Sequence, residues 1–357
     1  FVLPPGAPVG WPNLLVVAHR ALGQLPFSVL VTEPHRLSSE MAPLFSNYRD
    51  VPFLARSHSI TALPSVSSLV TLRGLSATPL ARHNFVGFGD PFFNKAQQAA
   101  AKTEATPIQT AALAANDLVA VRGLPVSLRA APKLENLTSA DLSKLPRLPD
   151  TADEINGIAR ALNANFKRDV FVGKDASEGR VKTMVLSGYK VLAFATHGLV
   201  PGDLDGLSQP ALALSSPTVS GGTDDGLLTM VEVLRLKLNA DWVVLSACNT
   251  ASGNGAGAEA VSGLGRAFFY AGTRALLVSN WPVETTSAKA LTTDIFRRQA
   301  TDASLSRADA LRQSMLGLID KGGLIDAKGN MVFSYAHPIF WSPFSLVGDG
   351  GGGKHAS

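Results

Sequence analysis

The hydrophobic pattern of the chain becomes regular at about residue 148, and from there apolar runs and amphipathic stretches take turns. "TADEINGIARALN" (151–163) places Ile155, Ile158, Ala159 and Leu162 on one helical face, and Thr151 and Glu154 have the spacing of a capping box. "DVFVG" (169–173) predicts a strand and "ASEGRVKTMVLSG" (176–188) a helix. "KVLAFATHG" (190–198) is the continuous apolar run of a strand buried on both faces of a parallel sheet. "PALALSS" (210–216) alternates more, and Thr229 with Glu232 opens a second capped helix. The strand "DWVVLSAC" (241–248) follows, then a helix over 258–271 with Val261, Leu264 and Phe268 on one face. A strand over 273–282 and helices over 285–299 and 304–319 complete the series. Alternation of strands with helices predicts right-handed crossovers and a mostly parallel central sheet in an α/β/α sandwich.

The first ninety residues carry the same elements less regularly. "LLVVAH" (14–19) and "FSVLVTE" (27–33) predict strands, "SITALPSVSSLVTL" (59–72) a strand and then a helix begun by Pro64, and "NFVGFGDPFF" (84–93) a further strand. Residues 94 to about 145 are rich in Ala, Gln and Thr without a sustained apolar face, as in an inserted low-complexity segment or a hairpin-like excursion. The domains expected are therefore an N-terminal half over 1–147 with that insertion, a second half over 148–348, and a flexible tail over 349–357.

Composition narrows the function classes. Hydrophobic residues at 46% and charged residues at 17% describe an ordered globular chain. The net charge is +4, but Lys and Arg are scattered and no basic stripe interleaved with aromatics appears, which speaks against nucleic acid as a partner. No apolar stretch reaches the ~18 residues that cross a bilayer, so no membrane partner is expected. A single cysteine excludes an internal disulfide framework and fits a reducing, cytoplasmic setting. Dispersed His residues and one Cys offer no metal-ligand spacing, and no metal or other cofactor is expected. "GNGAG" (253–257) lacks the Lys-Ser/Thr ending of a phosphate loop. The chain begins at Phe1 without a signal-like segment, as an excised part of a longer protein would.

That lone cysteine, Cys248, ends one predicted buried strand, and His197 ends another 51 residues earlier. Each has an ordinary structural explanation, since a lone Cys after an apolar run is often a small core side chain and a His-Gly pair after a strand is common. Ligands of open parallel sheets sit beyond the carboxyl ends of the strands. If the two strands are neighbours, a thiol and an imidazole emerge at one edge, the pair required for attack on a carbonyl and protonation of a leaving amine. The amides of Gly198 and Cys248 are then available to a developing oxyanion.

"FATHG", "DDGLLTMVEVLRLKLNADWVVLSACNTASG", "GAEAVSGLGRAFFYAGTRALLVSNWPVE" and "HPIFWSPFSLVG" together resemble the CHAT domain, a caspase-like, separase-related cysteine peptidase family. "ALGQLPFSVL" and "SITALPSVSSL" extend the resemblance, which runs from about 12 to 348. It implies a caspase–haemoglobinase-like fold of clan CD, with an N-terminal pseudo-caspase half and a C-terminal active half. His197 and Cys248 would form the dyad, with Gly198 in the oxyanion hole. The function implied is a mostly bacterial cysteine endopeptidase, latent until an attached repeat or sensor module or another partner activates it on a protein or peptide substrate. The alternative is a catalytically silent CHAT scaffold acting through protein–protein contact. Two departures, "GAEA" (257–260) where Gly-Glu-Gly is usual and "SNWPVE" where the family carries "SLWPVDD", bear on the pocket loops. For the S1 pocket the resemblance points to Ser246, Asp224, Asp225 and Glu284, with an acid accepting Arg or Lys at P1. The aspartates also fit an ordinary Asp-Asp-Gly turn, and Glu284 fits a first-turn acid of the following helix.

Overall fold

A computed structural model of the chain describes residues 12–18, 22–23, 25–40, 42–74, 81–103, 118–121, 124–129, 142–204, 206–246 and 256–351, without side chains at 118–129 and 256–262. It is a mixed α/β structure whose central strands are parallel. The chain divides into two compact units, residues 78–285 and a unit formed from both ends, 1–77 with 286–357. The first of these begins well ahead of position 148, because the strand His83–Gly89 is hydrogen-bonded between Tyr189–Ala195 and Val170–Val172.

In the 78–285 unit five parallel strands lie in the order Ala275–Ser279, Trp242–Leu245, Tyr189–Ala195, His83–Gly89, Val170–Val172. The central three are nearly all apolar, and Phe85, Phe88, Leu192, Phe194, Val243 and Leu245 are fully buried, as a sheet covered on both faces requires. Phe88 stacks between Phe171 and Phe194, with ring centroids 5.3 Å away on each side. The helix Asp150–Ala161 lies against this strand, burying Ile155, Ile158 and Ala159 as the apolar periodicity predicts. "GFG" makes that approach feasible. A Cβ at Gly89 would stand 2.8 Å from Ile155 Cγ1 and 3.0 Å from the Thr151 carbonyl oxygen. Gly89→Ala is therefore expected to cost roughly 1–3 kcal/mol through overpacking, read as a lower denaturation midpoint; an unchanged midpoint would mean that the helix can move away freely.

Thr229 and Glu232 form the expected capping box of the helix Met230–Arg235. Thr151 and Glu154 do not. Their helix starts at Asp150 behind Pro149 without a side-chain cap, and both side chains are fully buried in tertiary contacts. The 176–188 stretch is divided into Glu178–Thr183 and a 3₁₀ turn at Leu186–Gly188. In the 94–145 segment a helix, Lys95–Thr103, and an antiparallel hairpin, Leu118–Val121 with Leu124–Arg129, are described. The segment is closed at its base: Asn94 Nδ2 donates to the Ser143 carbonyl at 2.7 Å and Gln97 Nε2 to that of Leu145 at 2.8 Å.

In the other unit, Asn13–Val16 and Phe344–Gly348 flank Ser59–Ala62, all parallel. The predicted strand at 27–33 is instead a 3₁₀ turn, Phe27–Val29. Pro26 and Pro34 bracket the run, and its ladder pairing is limited to one isolated antiparallel bridge, Val31 with Phe53, in which the Leu54 amide donates to the Leu30 carbonyl at 2.6 Å and the Thr32 amide to that of Pro52 at 3.0 Å.

Candidate functional site

The strands preceding the two candidate groups are direct neighbours. Trp242–Leu245 pairs in parallel with Tyr189–Ala195, Leu245 stands opposite Phe194, and the amide of Ser246 donates to the Phe194 carbonyl at 3.0 Å. In sequence, His197 is three positions beyond Phe194, and Cys248 is three beyond Leu245. Cys248 itself lies outside the described residues, as do Ala247 and positions 249–255.

His197 is fully buried. Its Nε2 lies 2.8 Å from the Pro146 carbonyl oxygen, and because a carbonyl only accepts, Nε2 carries the proton of this bond. In the neutral tautomer with the proton on Nε2, Nδ1 is the basic nitrogen. The imidazole also contacts Phe93, at 5.6 Å between centroids. Its backbone is held by the Ala213 amide, which donates to the His197 carbonyl at 2.9 Å, while Thr196 Oγ1 donates to the Ala213 carbonyl. Gly198 follows in the short strand Gly198–Leu199, buried and opposite Leu212.

The carbonyl that holds His197 is itself restrained. Arg147, the next residue, makes a bidentate pair with Asp90, Nε and Nη2 each 2.8 Å from a carboxylate oxygen, and lies 5.0 Å over the Phe92 ring. Asp90 sits at the end of the strand His83–Gly89 with φ +47°, a left-handed conformation that Asp tolerates better than most residues. Its amide donates to Thr151 Oγ1 at 2.7 Å. Sequence reasoning missed this support. Any residue can offer a backbone carbonyl, so Pro146 carries no signal, and "KLPRLPD" (144–150) reads only as a connection.

The four expected S1 residues are dispersed in their contacts. Ser246 is buried and donates from Oγ to Glu154 Oε2 at 3.0 Å. Glu284 is buried in the two-residue strand Val283–Glu284, antiparallel to the hairpin strand Leu124–Arg129. Asp225 Oδ1 receives the Leu227 amide at 2.9 Å in an Asx turn. Asp224 pairs with Lys182 at 2.6 Å, and the same ammonium meets Glu178 at 2.9 Å and Glu232 at 3.1 Å.

One ammonium cannot neutralise three carboxylates, and Glu178 is the most buried of them. Burial and the neighbouring Glu232 push the Glu178 carboxyl up to about 7, against the bonds from Lys182 and the Gly226 amide that favour its charged form. The folded state thus binds this proton more tightly than the unfolded chain, where the group titrates near 4.5. The sign follows: this stabilisation is present below the unfolded value and is lost as pH rises towards about 7. Thermal scans of wild type and Glu178→Gln are expected to differ by an amount that changes across this interval; parallel curves would contradict the raised value.

Among the described residues no group of three or more His, Cys, Asp or Glu could hold a metal ion, and no helix is long and apolar enough to cross a membrane.

The CHAT domain family model matches residues 3–349. The chain is 30% identical over 126 residues to Tetratricopeptide repeat protein 28 of Mus musculus, an overlap of 34% of this chain and 4% of that protein. Thus it matches only a small fraction of that relative's length. Among solved structures, the Saccharomyces cerevisiae separase in its complex with securin aligns with a TM-score of 0.41 at 11% identity, covering 84% of this chain and 14% of that one. The Arg-specific cysteine proteinase gingipain R aligns with a TM-score of 0.34 at 12% identity, covering 56% and 42%.

Proposed function

We propose that this chain, which belongs to the CHAT domain family, is a cysteine endopeptidase of the caspase-like, clan CD type that cleaves protein substrates with a His197–Cys248 dyad. The observation that carries this reading is the register of the two central strands. Leu245 lies opposite Phe194, and the two reactive residues follow at equal offsets in sequence. His197, with Nε2 donating to Pro146, directs its other nitrogen towards proton transfer. In the proposed reaction Cys248 Sγ, deprotonated by His197, attacks the scissile carbonyl carbon. The amides of Gly198 and Cys248 receive the oxyanion. The imidazolium returns the proton to the leaving amine, and water then hydrolyses the thioester with His197 as base.

Glu284 is the acid we assign to a basic P1 residue. It is buried and follows the strand Ala275–Ser279, which pairs with the strand leading to Cys248. Latency, control by a repeat or sensor module and a cytoplasmic setting belong to the same proposal; the partial likeness to a protein named for tetratricopeptide repeats supports the repeat module. In the full-length protein, a quenched peptide library with Arg or Lys at P1 is expected to be cleaved by wild type and not by Cys248→Ala. Partner binding that is unaffected by Cys248→Ala, with no cleavage by either form, would favour a silent scaffold.

A further inference from the structure

The first turn of the helix Asp150–Ala161 holds both arms of the site. At one end of the turn, Thr151 Oγ1 accepts the Asp90 amide at 2.7 Å and donates to the Leu148 carbonyl at 2.7 Å. Asp90 in turn clamps Arg147, which follows the carbonyl that receives His197 Nε2–H. Three residues further along the same turn, Glu154 Oε2 accepts the Ser246 hydroxyl at 3.0 Å. Thr151 and Glu154 are both fully buried, Ser246 is 1% exposed, and Ser246 stands two residues before Cys248.

Burying a carboxyl group against a strand end is costly unless it makes hydrogen bonds there. The sheet already fixes the Ser246 backbone through its amide on Phe194. The Glu154 bond adds a restraint on the side chain just where the regular ladder ends. From this geometry we infer that Glu154 is a positioning residue of the active site, anchoring the end of the nucleophile strand to the same helical turn that steadies the support of His197. The inference rests on the dyad reading given above. In it the Ser246 hydroxyl serves the anchorage of the strand and not the floor of the specificity pocket. Glu154 acts through Ser246 and does not touch substrate.

Because Cys248 is the chain's only cysteine, its alkylation by iodoacetamide can be followed on the intact protein without activator or substrate. The pH profile of this rate reports how well His197 supports the thiolate. In wild type the profile is expected to have its midpoint below the ~8.5 of an ordinary thiol, and His197→Ala is expected to restore that ordinary value. Glu154→Ala is expected to move the midpoint up by about one pH unit, equivalent to about tenfold slower alkylation at neutral pH. Glu154→Gln, whose amide oxygen can still accept from Ser246, is expected to recover most of the rate. Ser246→Ala removes the same bond with a smaller loss of volume and should reproduce the Glu154→Ala shift, which keeps the test valid if Glu154→Ala does not fold.

A purely structural role for Glu154 predicts a lower melting temperature with the wild-type midpoint retained in Glu154→Ala and Ser246→Ala. That result would overturn the inference while leaving the dyad intact. Equal midpoints in wild type and His197→Ala would overturn the dyad, and the inference with it.

Discussion

Replacing His197 with alanine is expected to slow cleavage of a basic-P1 peptide by about 10²–10⁴-fold, the range associated with loss of a positioned general acid–base. The side chain is fully buried, and Nε2 is held 2.8 Å from a backbone carbonyl that Arg147 and Asp90 help to fix. A histidine held in this way enters proton transfer with its tautomer already set, which avoids reorganisation during the reaction. Asparagine at 197 retains some of the polar contact but cannot accept the proton, so it should be nearly as slow as alanine. A loss below about threefold for both variants, with comparable melting temperatures, would remove His197 from the chemistry.

The second large effect is expected at Glu284. This buried acid precedes the helix Thr285–Thr301, and its backbone pairs with the hairpin of the 94–145 segment. A charge-assisted bond from a P1 guanidinium to a desolvated carboxylate is worth several kcal/mol when one partner is removed. Glu284→Ala is therefore expected to reduce kcat/KM for Arg at P1 by about 10²-fold or more, with a much smaller effect for Ala at P1. Equal losses on both substrates would mean that Glu284 supports the fold and does not read the substrate. Retained Arg selectivity would send the search for the acid elsewhere.

The parts of this arrangement set by local periodicity were legible in the sequence. Continuous apolar runs at 191–195 and 242–245 correspond to buried parallel strands, and placing His197 and Cys248 beyond their ends required only the rule that such strands present ligands at their carboxyl edge. Neighbouring of the two strands was a condition that only tertiary structure could supply. Thr229 and Glu232 satisfied their helix locally, as their spacing indicated. Thr151 and Glu154 have the same spacing, yet tertiary partners at Asp90 and Ser246 claimed their side chains. Nothing in a four-residue motif distinguishes a cap from a long-range anchor. Likewise, an apolar run at 27–33 between two prolines reads as a strand, but it has only one isolated bridge, Val31 to Phe53, and turns instead. The Pro146 carbonyl was illegible in principle, since side-chain chemistry carries no trace of which backbone oxygen a histidine will choose.

The most direct test of the dyad is the intact mass of this 357-residue chain after incubation with a peptidyl-arginyl electrophile, for wild type, Cys248→Ala and His197→Ala. With one cysteine in the chain, a single adduct is expected on wild type, none on Cys248→Ala, and strongly slowed formation on His197→Ala. Labelling that persists in Cys248→Ala, or that proceeds equally fast in wild type and His197→Ala, would contradict a cysteine peptidase built on these two residues.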